Sequence, residues 1–185
     1  MKTIQFFFLF VLSFSMVSGQ SSKDFSNKAV AIEHTSSEVI IDGKLNEIIW
    51  QRSPHLHNFI QFEPENRQVP TSKTEGWITY DDEALYIAVK NYESDTSLIG
   101  KGFGARDYGN DAHSDCVGIL LSPYNDGVNY AYFMVTAMNV QSDMLFSGTT
   151  QDRTWDGVWY SATSFVEDGW ICELKIPLNT LRYNN

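Results

Sequence analysis

The 185-residue chain is predicted to be all-β, a jelly-roll-like β-sandwich of two antiparallel sheets. Three observations support this prediction. No stretch longer than about one turn has convincing helical periodicity. Apolar and polar residues alternate instead along short segments, as in half-buried strands. Glycine, aspartate, asparagine and proline separate these segments, and such residues are typical of the turns between strands.

The first residues have the features of a secretory signal. Lys2 gives a positive start, an apolar run follows over 4–17, and Val17-Ser18-Gly19 offers short side chains for cleavage before Gln20. The run is too short to cross a bilayer comfortably. We therefore predict an exported protein of the periplasm, outer membrane or extracellular space. Residues 1–19 are predicted as signal peptide, 20–37 as an N-terminal extension or first strand, and 38–185 as the sandwich.

Residues 73–92 predict a hairpin with a short acidic loop. If that loop has four residues, Ile78 lies opposite Ile87 on one face and the other face carries Trp77 and Tyr86 as diagonal neighbours. Apolar pairs on only one side are what a half-buried hairpin requires. The outward face would then expose two aromatic rings. The alternative is that a second sheet or a loop covers Trp77.

The remaining elements follow in chain order. Apolar residues at helical spacing after Asp42-Gly43 predict a single helical turn that places Trp50 in the core. Strands at roughly 115–121 and 130–137 are apolar or small on both faces, so we expect central strands. A last strand ends at Pro177, and we expect the natural protein to continue past Asn185.

Charge and cysteine content narrow the classes of partner. The formal net charge of −10 disfavours nucleic acid and anionic membranes, and it suits neutral ligands or cations. Cys116 and Cys172 are too few for a disulfide scaffold. Because their strand phases point to opposite faces, we predict two unpaired thiols.

Several aromatic and polar residues suit a carbohydrate ligand. The faces of a pyranose ring stack on tryptophan and tyrosine, while amide, carboxylate and guanidinium groups bond its hydroxyls. We predict that Trp77 and Tyr86 form the stacking surface and that Trp155, in a turn-like stretch, adds a second wall. Candidate hydroxyl contacts are Arg106, Asp107 and Asn110.

The acidic stretch at 107–115 contains candidate calcium ligands, Asp111 and Asp115, because calcium prefers oxygen donors. A solvated turn explains the stretch equally well. Catalysis has little support, since no motif pairs two carboxylates and no nucleophile elbow or phosphate loop is present. The spacing of His55 and His57 is weak evidence for a metal site. We predict that the chain is not an enzyme.

Four segments resemble a known family. Residues 41–50 are similar to the opening "DG-x-L-x-E-x-x-W" pattern of family 9 carbohydrate-binding modules and their DOMON-like relatives. Residues 80–87, 155–159 and 168–178 resemble the family's later motifs, in the same order. The chain departs from the family pattern at Trp77, where a small polar or charged residue is expected, and at Ser122, where an aspartate is common.

The resemblance implies a jelly-roll sandwich, sugar clamped between aromatic rings, and structural calcium in some members. It also implies an N-terminal position in bacterial envelope proteins with a C-terminal β-barrel. Family modules accompany xylanases and similar hydrolases that act on O-glycosyl bonds. We therefore predict a non-catalytic domain that targets polysaccharide in carbohydrate catabolism.

Three other functions stay open at this point. The domain could dock on its downstream outer-membrane barrel without binding sugar. It could bind haem through a pair such as His113 and Met134, as DOMON relatives do, or it could be a hydrolase.

Overall fold

Two antiparallel sheets pack against each other, which confirms the predicted β-sandwich. The computed structural model describes residues 30–64, 66–107 and 113–181. The predicted signal peptide, 1–19, lies outside these residues. The five-stranded sheet has the order β1-β2-β3-β9-β8, with β1 His55–Leu56, β2 Thr74–Tyr80, β3 Ala84–Tyr92, β8 Tyr160–Val166 and β9 Gly169–Pro177. The four-stranded sheet has the order β4-β5-β6-β7, with β4 Cys116–Leu121, β5 Asn129–Thr136, β6 Gln141–Ser147 and β7 Thr150–Asp152.

Helical structure is short in the described part of the chain. The predicted turn of helix is α1, Ile48–Arg52, and two 3₁₀ turns cover Thr96–Leu98 and Leu178–Thr180. None of the described helices is long and apolar enough to span a membrane. Upstream of α1, His34 forms a parallel bridge with Tyr80 at the end of β2.

The predicted register of the β2–β3 hairpin is confirmed. Ile78 pairs with Ile87 and Trp77 pairs with Ala88, as the alternation required. Ile78 and Ile87 face the main core between the sheets, where Phe133 is fully buried. Burial of these side chains supplies the main favourable term for the sandwich. Cys116 is exposed and Cys172 is buried in this core, and both thiols are free.

A second core lies on the outer side of the five-stranded sheet. Ile49 and Trp50 from α1 pack there against Ala84, Tyr86 and Ala88 of β3. Partly buried side chains of the preceding segment, among them Val39 and Leu45, extend this cover. The N-terminal segment therefore seals the central part of a sheet face that the hairpin alone would leave open.

The carboxylate of Glu173, on β9, fastens this cover to the sheet. Its side chain is 0% exposed, and its Oε2 accepts hydrogen bonds from the backbone N–H of Asp42 (3.0 Å) and Gly43 (2.7 Å). The indole of Trp50 donates to Oε1 at 2.9 Å. Gly43 has φ +81°, and a Cβ there would lie 2.9 Å from the backbone of Thr163, so only glycine fits without strain.

Burial is the main reason that the pKa of the Glu173 carboxyl rises from 4.5 to about 7. Glu47, whose Oε2 is buried without a hydrogen-bond partner in the described structure, raises the pKa of Glu173 further. The donors from Gly43, Asp42 and Trp50 oppose this rise because they favour the charged form. A raised pKa means that folding takes up a proton at this site.

We predict that Glu173 makes the fold less stable as pH rises. Its contribution is fully present below the unfolded-state pKa of 4.5 and is lost as pH passes through about 7. We compare the free energy of unfolding of the wild type with that of Glu173→Gln. The wild-type value minus the variant value should fall by on the order of 3 kcal/mol between about pH 4.5 and 8. Urea unfolding across this range measures the difference. The same substitution at exposed Glu167 is the control, and a difference that stays level or rises with pH would contradict the assignment.

Candidate functional site

A groove opens at the end of the sandwich where β5 begins and β6 ends. Its volume is about 310 Å³, the larger of two cavities characterised in the described structure. The β4–β5 loop, β7, the loop before β8 and the last 3₁₀ turn supply its walls. We call it the end groove and define it by Tyr124, Asn129, Thr150, Asp152, Trp155 and Thr180.

Trp155 gives the end groove a firm apolar wall. Its indole is half-buried and meets Phe133 of the main core edge to face, with ring centroids 5.7 Å apart and planes at 73°. A Cβ on Gly157 would lie 2.8 Å from Cη2 of the indole, so the glycine permits this close approach. Edge-to-face packing of this kind fixes the orientation of a ring.

Polar groups with defined hydrogen bonds surround the wall. Asp152 accepts from Thr154 through the backbone N (2.9 Å) and Oγ1 (2.7 Å). These bonds hold the pKa of the Asp152 carboxyl below its usual value. Asn129 donates through Nδ2 to Asp126 at 2.6 Å, and Thr180 donates to the carbonyl of Val158 at 2.7 Å. The rim therefore presents oriented oxygen and nitrogen atoms beside an aromatic surface.

The predicted open pair of rings at positions 77 and 86 is not formed. Tyr86 is only 3% exposed, because α1 and the N-terminal segment cover it, and its hydroxyl donates to Asp81 at 2.8 Å. Trp77 keeps partial exposure, but His55 stacks on it with ring centroids 5.2 Å apart and planes 9° apart. One face of the indole is thus already occupied. A sugar contact at Trp77 stays a prediction.

Arg106 and Asp107, the predicted hydroxyl contacts, bind other parts of the chain. Arg106 donates to Gln141 (2.5 Å), to buried Asp143 (2.6 Å) and to the carbonyl of Gly157 (3.0 Å). Its Nη2 also lies 2.8 Å from the exposed carboxylate of Asp156. Asp107 accepts from the backbone N of Asp143 at 3.2 Å. These contacts tie the loop before β8 to β6, and they leave the guanidinium little freedom to bind a ligand.

The remaining predicted residues give little support for a metal site. Asn110 and Asp111 lie outside the described residues, and Asp115 is exposed just before β4. The described part of the chain contains no group of three or more His, Cys, Asp or Glu side chains placed to hold a metal ion. Calcium binding stays a prediction. For the haem alternative, Met134 is 2% exposed in β5 while His113 is exposed.

Among the residues that define the end groove, the sequence predicts only Trp155 as a sugar contact; Tyr124, Asn129, Asp152 and Thr180 are not among the predicted contacts. The chain turns between Ser122 and Gly127, and the aromatic Tyr124 in this turn is the signal that the sequence offers. A tyrosine 39% exposed at a loop tip suits ligand contact better than core packing.

Comparison with known proteins gives structural matches only. No family model and no curated protein sequence matches the chain. Two solved structures of a family 9 carbohydrate-binding module from Caldicellulosiruptor kristjanssonii are similar to it. The complex with glucose has a TM-score of 0.57 at 19% identity and covers 83% of this chain and 71% of that chain. The complex with cellotriose has a TM-score of 0.55 at 18% identity and covers 79% and 66%.

A candidate carbohydrate-binding protein from Bacteroides uniformis is also similar, with a TM-score of 0.61 at 12% identity, covering 80% of this chain and 72% of that chain. At these identities the likeness establishes a shared fold.

We predict that Arg106 stabilises the fold. Arg106→Ala leaves the buried carboxylate of Asp143 without its cation, so the free energy of unfolding should fall by about 2–3 kcal/mol in urea. Arg153→Ala is the matched control, because its guanidinium bonds only the exposed side chain of Gln151 among the described contacts, and it should cost under about 0.5 kcal/mol. Unchanged stability with lost saccharide binding would instead restore Arg106 as a ligand contact.

Proposed function

We propose that this chain is a non-catalytic saccharide-binding domain and that the end groove holds the ligand. One observation carries the proposal: a fixed indole wall at Trp155 stands beside oriented polar groups in a cavity of about 310 Å³. That volume lies at the lower end of the range typical of small-molecule sites, roughly 300–1,000 Å³.

The chemistry of the groove suits a sugar ring. One face of a pyranose is rich in C–H groups and packs on an aromatic surface such as Trp155, while its equatorial hydroxyls point to the sides. The carboxylate of Asp152 accepts hydrogen bonds from such hydroxyls, and the hydroxyl of Thr150 can donate or accept. Exposed Tyr124 adds a second aromatic group at the rim.

Similar structures of other proteins also support the proposal, because two of them are complexes with glucose and with cellotriose. We extend the proposal to the setting that the sequence suggests, an exported domain that targets polysaccharide during carbohydrate catabolism. Structural calcium bound in the acidic loop is part of the same proposal. The domain would concentrate substrate for hydrolases that act on O-glycosyl bonds.

A second candidate function is protein docking, and a different surface supports it. The segment between β1 and β2 exposes several apolar side chains, including Phe62 at 57% and Val69 at 87%. Large apolar side chains exposed along one segment are typical of contact surfaces. A downstream β-barrel of the same protein is the partner that the family resemblance suggests.

We predict that truncating Trp155 removes saccharide binding. Trp155→Ala should weaken binding of cellotriose or xylotriose by at least about tenfold, since an anchoring aromatic contributes roughly 1–2 kcal/mol or more. Isothermal titration calorimetry measures this effect. Thermal unfolding of the same samples separates lost binding from lost folding.

Trp77→Ala is the matched control, because it removes the same side chain from the hairpin face that the sequence first indicated. Its affinity should stay within about twofold of the wild type. The reverse pattern would place the site on the hairpin, and silence of the wild type toward a panel of neutral oligosaccharides would refute the proposed function and favour docking.

A further inference from the structure

Among the described residues that line the end groove there is a carboxylate and no cationic side chain. Asp152 is the one charged side chain among the described residues that line it. An aspartate side chain is ionised at neutral pH, and hydrogen bonds from Thr154 lower the pKa of the Asp152 carboxyl further. A ligand in the groove would therefore lie next to the negatively charged carboxylate of Asp152.

A second carboxylate, Asp126, is hydrogen-bonded to Asn129, which lines the groove. Asp126 accepts hydrogen bonds from Asn129 through the backbone N (2.8 Å) and Nδ2 (2.6 Å), and from the backbone N of Val128 (2.9 Å). These donors lower the pKa of Asp126 as well. The chain carries a formal net charge of −10, so the wider surface adds to the same sign.

Arg153, the basic residue that follows Asp152, turns away from the groove. Arg153 donates to Oε1 of Gln151 through Nε (3.4 Å) and Nη2 (3.2 Å). Gln151 alternates with Asp152 along β7, so the two side chains leave opposite faces of the strand. The guanidinium of Arg153 is thereby held on the far side from the carboxylate.

Aromatic rings in the groove act in the same direction as the carboxylates. Trp155 and Tyr124 present π faces, which attract cations by about 0.5–1 kcal/mol at exposed sites. An ionised carboxylate at hydrogen-bond distance adds a similar amount. A neutral sugar gains the stacking but neither of these charge effects, and an anionic sugar meets repulsion.

We propose that the end groove selects saccharides that carry a free, protonated amine, such as β-linked glucosamine units, over neutral and carboxylated counterparts. The inference rests on the proposed function, because stacking on Trp155 positions the ring, while Asp152 and the aromatic faces recognise its ammonium group.

Three trisaccharides on one β-1,4-glucan skeleton test the inference by calorimetry at about pH 6, where the amines are protonated. They are the glucosamine trimer, cellotriose, and cellotriose in which each C6 is oxidised to a carboxylate. We expect the amino trimer to bind about three- to tenfold more tightly than cellotriose, and the carboxylated trimer to bind most weakly.

Asp152→Asn should reduce the advantage of the amino trimer to under about twofold. Asp95→Asn is the matched control, because Asp95 accepts from Ser97 through N (3.0 Å) and Oγ (2.6 Å), as Asp152 does from Thr154, and does not line the groove. The control should keep the full advantage. It removes the same charge from the chain, so it also corrects for net charge.

The outcomes separate the two proposals. Equal affinity for the amino trimer and cellotriose, or an advantage that survives in Asp152→Asn, overturns the inference and leaves saccharide binding intact. No binding of any trimer defeats the proposed function itself. Trilysine that binds as tightly as the amino trimer also overturns the inference, since the groove would then recognise charge on a peptide.

Discussion

The buried carboxylate of Glu173 is the constraint from which the layout of this domain follows. A buried carboxyl group must have its oxygen atoms hydrogen-bonded, and three N–H donors from Asp42, Gly43 and Trp50 meet that demand. The cost of burial thus fixes the segment over the five-stranded sheet, and Trp50 and Ile49 then bury Tyr86 and Ala88. A flat sheet face that could have served as a binding platform becomes interior. The proposed ligand surface lies instead at one end of the sandwich.

A second buried carboxylate, Asp143, organises the end that the ligand would use. It accepts from the backbone N of Gly157 (2.9 Å), the indole of Trp159 (2.8 Å) and the guanidinium of Arg106 (2.6 Å). These bonds anchor the loop that carries Trp155 and bring its indole onto Phe133. Removing one partner of a buried carboxylate lowers the free energy of unfolding by more than the intact pair contributes. The loop before β8 is therefore held firmly against β6. The groove wall is thus held in place by a network whose members do not themselves line the groove.

Features that depend on local contacts could be predicted from the sequence, and features that depend on contacts between distant residues could not. The β2–β3 register was predictable, because alternation and a short loop determine it within twenty residues. Which face of that hairpin meets solvent was not, since the answer depends on Gly43 meeting Glu173, 130 residues away in sequence. Alternation distinguishes two faces of a strand, but it does not reveal that a separate segment covers one of them. The partners of Arg106 were not predictable for a similar reason, because they lie 35 to 51 residues downstream. The groove draws on four separated segments, of which only the tryptophan-containing one has a recognisable pattern.

The motifs that carry the family resemblance have structural tasks. Asp42, Gly43 and Trp50 bond Glu173, while Gly157 and Trp159 bond Asp143. In this chain these positions therefore serve the fold rather than the groove. The groove residues Tyr124, Asn129 and Asp152 lie outside those motifs, in loops and a short edge strand where substitutions cost little stability. For this reason the proposed preference among saccharides rests on the groove of this chain, where the carboxylate of Asp152 and the indole of Trp155 line the same cavity.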